Sequence, residues 1–120
     1  MRVSSTRSLV LGATLLSASG LPLAAHHGWG SYDASAAVTV EGEIVTSKFE
    51  NPHVVVTVKA ADKTWTVTLA PTSRMELRGA SKDLVAVGQK ITAVGYKSRV
   101  EKDELRAERI TSGGKTIEMR

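Results

Sequence analysis

Three histidines are the residues of this 120-residue chain best suited to chemistry: His26 and His27 stand together near the start, and His53 stands alone. Imidazole nitrogens suit Cu(II), Ni(II) and Zn(II). The adjacent pair follows Leu23-Ala24-Ala25, a small-residue stretch of the kind a signal peptidase cuts. A cut after Ala25 makes His26 the first residue. Its α-amine and ring then chelate one ion, and a second imidazole completes a T-shaped three-nitrogen site. A cut after Ala24 leaves Ala25-His26-His27, whose amine, two deprotonated backbone amides and His27 ring form a square-planar site. Tetragonal nitrogen sets of either kind favour Cu(II) or Ni(II). The expected metal ligands are therefore His26, His27 and His53, with copper the expected ion. An extended chain covers about 3.3–3.6 Å per residue, so an arm from His26 to Ala36 is long enough to fold back to His53.

Each of these residues also has a plainer reading. His27 and Trp29 could pack over a barrel mouth, and His53 could hydrogen-bond a nearby loop. Asp33 and Glu50 are available as carboxylate ligands or as groups that orient a ligand ring. Tyr32-Asp33 and Asn51-Pro52 read more simply as turns. No catalysis is expected: the chain has no Cys, no glycine-flanked nucleophilic Ser, no phosphate loop and no metalloprotease helix motif. Ser73-Arg74-Met75 reads as the start of a helix, and Glu41 and Glu43 as a solubilising strand face.

The elements that must position these residues begin after residue 25. Arg2 and Arg7 precede an apolar run from Ser8 to Leu21, and no acid occurs before Asp33. Residues 1–25 thus read as a signal peptide, too short in its apolar run to span a bilayer, and the expected location is the periplasm. With no Cys, neither lipidation at the cut nor a disulfide is expected. Setting Arg2 and Arg7 aside leaves fourteen Lys and Arg against twelve Asp and Glu. Lys and Arg are interspersed with acids, as in the solvated run from Arg99 to Glu104. A nucleic-acid binder concentrates its basic residues, so no nucleic-acid partner is expected. A monomer is expected.

Residues 26–36 form an arm containing Trp29 and Tyr32, and residues 37–120 a single domain. Val38, Val40 and Ile44 alternate with polar residues, giving a half-buried first strand, with Gly42 marking a bend. A second strand runs from His53 to Lys59, and a third from Thr64 to Ala70 has Trp65, Val67 and Leu69 on one face. Pro71 stops it. Thr72 to Ala80 reads as a short helix with Thr72 or Ser73 as its N-cap and Met75, Leu77 or Leu84 pointing inward. Lys90–Ser98 and Glu104–Thr111 are strands, and Ser112-Gly113-Gly114-Lys115 turns the chain into a short last strand, Thr116–Met119. The fold class is all-β: an OB-like small barrel of five to six strands with one short helix between strands three and four.

Taken together, His26-His27-Gly28-Trp29, Tyr32-Asp33, Glu50-Asn51-Pro52-His53, Trp65 to Pro71, Ser73-Arg74-Met75 and Arg106 to Ile110 resemble a family of small exported bacterial proteins classed as a domain of unknown function. The resemblance implies a periplasmic OB-like barrel and supplies no reaction. The function expected is binding of a divalent transition metal through the processed N-terminus. The alternative is a metal-free module that recognises a cell-envelope protein or another ligand, for which Trp65, Trp29 and Tyr32 are the available aromatics. Trp65, sharing a face with Val67 and Leu69, reads more simply as core.

Overall fold

Alternation of apolar and polar residues closes the chain into a barrel. The structure, a computed structural model, describes residues 28–120; the expected signal peptide and both His26 and His27 lie outside that span. Six strands follow in order: β1 (Val38–Lys48), β2 (Val55–Lys59), β3 (Thr64–Thr68), β4 (Lys90–Lys97), β5 (Glu104–Ser112) and β6 (Lys115–Glu118). The sheet order is β3-β2-β1-β4-β5-β6, and β3 also pairs with β5. That additional parallel pairing, Thr66–Thr68 against Glu104–Arg106, closes five strands into a ring, and β6 continues the edge of β5 beyond the seam. Among the described residues no helix is long and apolar enough to cross a membrane.

The long first strand serves both halves of the barrel. Its first part pairs with β4 and its second with β2, and the register slips between Ile44 and Thr46. Before the slip Val40 and Ile44 point inward; beyond it the less exposed residues are Ser47 and Phe49, and Val45, at the slip itself, is exposed. A bulge reverses which residues face inward and bends the strand. Gly42, two residues earlier, serves a different need: a Cβ there would collide with the Lys59 carbonyl. A second close approach is Gly95 in β4, where a Cβ would strike the backbone of Arg106 and Ala107.

The core is filled mainly by aliphatic side chains, including Ile44, Val56, Val67, Leu69, Met75, Ile91, Leu105 and Ile110, all essentially inaccessible. Trp65 belongs to this core. A short helix, α1 (Thr72–Leu77), follows Pro71 and inserts Met75 into the barrel end. It is shorter than the Thr72–Ala80 stretch expected from the sequence. Ala80 N–H donates to the Met75 carbonyl and Gly79 N–H to Glu76, with Gly79 at φ 84°; this C-terminal closure ends the helix. Of the residues offered as inward-pointing, Met75 is buried and Leu77 is 85% exposed, because so short a helix turns only one residue, Met75, toward the core. The last strand is tied down by α1: Arg74 donates to the Met119 carbonyl at 3.1 Å and Arg78 to that of Glu118 at 2.6 Å.

Candidate functional site

The arm packs along the outside of the β3–β5 seam. Trp29–Ser31 forms one 3-10 turn. Tyr32 then bridges to Ser98, Asp33 N–H donates to the Lys97 carbonyl, and Arg99 N–H donates to that of Ser31. Tyr32 is a buried residue. Its hydroxyl donates to Glu104 Oε1 at 3.3 Å, and the Thr68 hydroxyl donates to the same oxygen at 3.0 Å. One carboxylate thus joins the arm, β3 and β5. Burial, and then the Glu104 charge, raise the Tyr32 pKa and keep the phenol a donor.

Beside it, Arg106 projects from β5 beneath the arm. Its guanidinium carbon lies 4.3 Å from the centre of the Trp29 indole, and that of Arg120 lies 4.6 Å from the same centre. Trp29 also meets Tyr96 edge-on at 6.2 Å. Cation–π contact at this range stabilises a guanidinium by about 0.5–2 kcal/mol. Burial lowers the Arg106 pKa; Tyr32 and the Glu104 carboxylate oppose this, and the charges of Arg120 and Arg74 add to the lowering. Two guanidiniums, those of Arg106 and Arg120, therefore lie against the Trp29 indole where the arm crosses the seam.

His53 reaches the same place from the β1–β2 connection. The Asn51-Pro52 peptide is cis. Asn51 Oδ1 accepts from both the backbone N–H and the hydroxyl of Thr72, at 3.2 and 3.0 Å. Neither Thr72 nor Ser73 caps α1 through its own side chain: Pro71 holds the cap position, and Asn51 supplies the acceptor from another part of the chain. Two residues on, His53 Nε2 lies 3.4 Å from Arg106 Nη2. A guanidinium offers only donors, so a hydrogen bond there requires the imidazole lone pair on Nε2 and the proton on Nδ1. A metal taking Nε2 must displace Arg106, and one taking Nδ1 must displace that proton.

Of the three expected ligands, His53 alone falls within the described residues, and it sits beside the arm. Among those residues no three His, Asp or Glu side chains converge as a metal-ligating group. Asp33 accepts from the backbone and hydroxyl of Ser35 and meets Arg99 at 3.4 Å, the arrangement of a turn. These Ser35 contacts, together with the Arg99 charge, lower its pKa. Glu50 is exposed at the turn itself. Surface grooves of about 440 and 370 Å³ lie elsewhere along β1.

Sequence reasoning does not single out Arg106, Glu104 or Thr68 for chemistry. Arg106 lies between inward-facing Leu105 and Ala107, so strand alternation places it outside the barrel. Its neighbours across the seam come from β3 and from the arm, which no local pattern pairs with β5.

A closed five-stranded barrel with β3 parallel to β5 and a helix between β3 and β4 is the OB-type architecture. The chain belongs to DUF6152, a family of unknown function, whose match spans residues 14–106. No curated protein matches it. Among solved structures it is similar to a chain in the crystal structure of a complex of TiaS with transfer RNA and ATP, with 17% identity and a TM-score of 0.48. That alignment covers 63% of this chain and 18% of the other, so the chain spans under a fifth of that protein's length.

Proposed function

We propose that the protein is an exported periplasmic binding module that captures a divalent transition metal, Cu(II) foremost, through its processed N-terminus. The observation that carries this reading is the contact series Trp29–Arg106–His53: the arm returns to the β3–β5 seam beside His53. His27 and His26 precede Gly28 directly, and at about 3.3–3.6 Å per residue they stay within reach of the His53 imidazole. The terminal amine with His26 and His27 supplies the nitrogen set. His53 joins as a third imidazole once it exchanges Arg106 for the metal. The role is binding, buffering or delivery rather than catalysis.

The test is a Cu(II) titration with EPR on protein matured in its own host, its first residue read by mass spectrometry. A Met-extended form is the control. Tight one-to-one binding with a nitrogen-rich spectrum, lost in the extended form and in His27→Ala, supports the reading. Retention in His53→Ala would confine the site to the terminus itself. Binding no tighter than the control would refute it.

A second reading is favoured by the guanidinium that already meets His53. In it the protein is a metal-free cell-envelope module that recognises a partner or ligand through the arm end of the barrel. Under this reading His27→Ala and His53→Ala leave metal uptake at the background level of the extended control.

A further inference from the structure

We propose that an extended peptide of a partner protein adds as a strand along the open edge of β1, antiparallel to it, in the groove between Val38–Glu41 and the β2–β3 turn. The segment it takes has apolar residues at alternate positions, a basic residue ahead of them and an acidic one after. The copper reading uses none of the residues that line this groove.

The edge is open because β1 outruns the strand beside it. Glu43 pairs with Lys59, the last residue of β2, whereas Val38 to Gly42 pair with β4 alone. Ile44 N–H donates to the Gln89 carbonyl, on the β4 side. Peptide groups alternate in direction along a strand, so Val38, Val40 and Gly42 also face β4, and Thr39 and Glu41 turn their N–H and C=O groups the other way. Among the described residues those groups meet no backbone partner, since the β2–β3 turn closes on itself through the Ala60 N–H bond to the Lys63 carbonyl. A row of unpaired peptide groups is a template for another strand.

Space and charge lie along that edge. Val38, Val40, Ala60 and Trp65 line a groove of about 370 Å³, with Glu41 and Lys97 also on its walls. Val38 pairs with Gly95, which puts Lys97 at the Val38 end and Glu41 at the other. Lys97 Nζ lies 5.6 Å from the centre of the Trp65 ring. Asp103 is bonded to Lys63 at 2.9 Å, and among the described residues neither Lys97 nor Glu41 has an opposite charge within ion-pair distance. Asp62 accepts from the Trp65 indole N–H at 3.4 Å.

The register then selects the occupant. Main-chain hydrogen bonds supply affinity in strand addition, and alternate side chains supply specificity. Residues opposite Val38 and Val40 share their inward face, while the residue opposite Glu41 stands beside that carboxylate. An antiparallel segment meets Glu41 first and Lys97 last. A basic residue at its start and an acidic one at its end therefore match both, and its apolar residues rest against Val38, Val40 and Trp65. The opposite order of charges sets like against like.

The experiment is NMR on the full protein, purified from its own host and freed of metal by chelation. The probe is the synthetic peptide Arg-Val-Thr-Val-Thr-Glu, capped at both ends. Without peptide, the Thr39 and Glu41 amides should exchange hydrogen fast and those of Val40 and Gly42 slowly. The peptide should give saturable one-to-one shifts centred on these residues and slow exchange at Thr39 and Glu41. Lys97→Gln should weaken binding about threefold, as loss of one exposed ion pair does. Lys115→Gln, which removes an equal charge from β6, should leave it unchanged. The same peptide with Pro as its third residue lacks the N–H that faces Thr39 and should not bind. Slow exchange at Thr39 and Glu41 before peptide is added would show the edge already covered, by a second copy or by residues ahead of Gly28, and would overturn the proposal. So would a lack of saturable shifts, undiminished affinity in Lys97→Gln, or equal binding of the proline peptide or of one with its Arg and Glu exchanged.

Discussion

Removing the ring of Tyr32 should detach the arm while the barrel stays folded. Tyr32 is 4% exposed, and its hydroxyl makes one 3.3 Å bond to a Glu104 oxygen that Thr68 also engages at 3.0 Å. Tyr32→Phe keeps the packing and removes one long hydrogen bond from an acceptor that retains another, so its cost is about 1 kcal/mol. Tyr32→Ala removes the ring as well. Aromatic-to-alanine changes in a core cost about 3–5 kcal/mol, and an arm free to move away places this one near the lower end. Urea unfolding gives both values. Acrylamide quenching of Trp29, measured in a Trp65→Phe background, shows whether the arm has left the seam. The expected result is about a threefold separation in cost, with Trp29 fully accessible only in Tyr32→Ala. Equal costs for the two substitutions would mean that the ring contributes no packing and the arm is not held as described.

Alkaline pH probes the same phenol. Its folded pKa lies above the ordinary value of 10.0, so the folded state holds the proton more tightly than the unfolded chain. The corresponding stability is fully present below pH 10 and is lost as pH rises through the higher folded value; Tyr32→Phe should remove this component from the alkaline fall, as read from urea midpoints. Gly95→Ala places a Cβ 2.7 Å from the Arg106 carbonyl carbon and 2.8 Å from Ala107 Cα. Since backbone must shift, a loss of about 1–3 kcal/mol is expected, and thermal unfolding measures it. Asn51→Ala strips α1 of its cap and should cost about 1 kcal/mol, whereas Asn51→Asp should retain most of it in the same assay.

The barrel is legible in the sequence because alternation is a local property. Val54, Val56 and Val58 against Val55 and Thr57, or Trp65, Val67 and Leu69 against Thr64 and Thr66, show which face is buried without reference to any partner. Pro71 and Gly113-Gly114 mark their own turns. The α1 cap is not legible, since Asn51 and Thr72 meet only after β2 and β3 have paired. Leu77 misleads because helical spacing predicts a face but not how many turns the connection allows. For the site, Trp29, Tyr32 and His53 stand out by residue type. Arg106 does not: an arginine on an outward strand position looks like any solvated charge until the arm is laid over it.

The arm's position links the fold to the site. The seam between β3 and β5 is brief, Thr66–Thr68 against Glu104–Arg106, while β2 pairs with β3 along its whole length. At that short join Glu104 takes hydroxyls from β3 and from the arm, and the next outward residue of β5 is Arg106. Tyr32 therefore reinforces the closure of the barrel at the same place where Trp29 gathers the guanidiniums beside His53. A ligand bound there holds arm and seam together and should stabilise the whole domain by mass action. Conversely, a change that loosens the seam should weaken binding even when it touches no ligand-contacting group. Thr68→Val, which removes one of the two hydroxyls on Glu104 and leaves Trp29, His53, Arg106 and Arg120 in place, separates these ideas. If seam and site are one unit, it lowers stability and ligand affinity together; if affinity is unchanged while stability falls, the arm holds its guanidiniums without help from the closure beneath it.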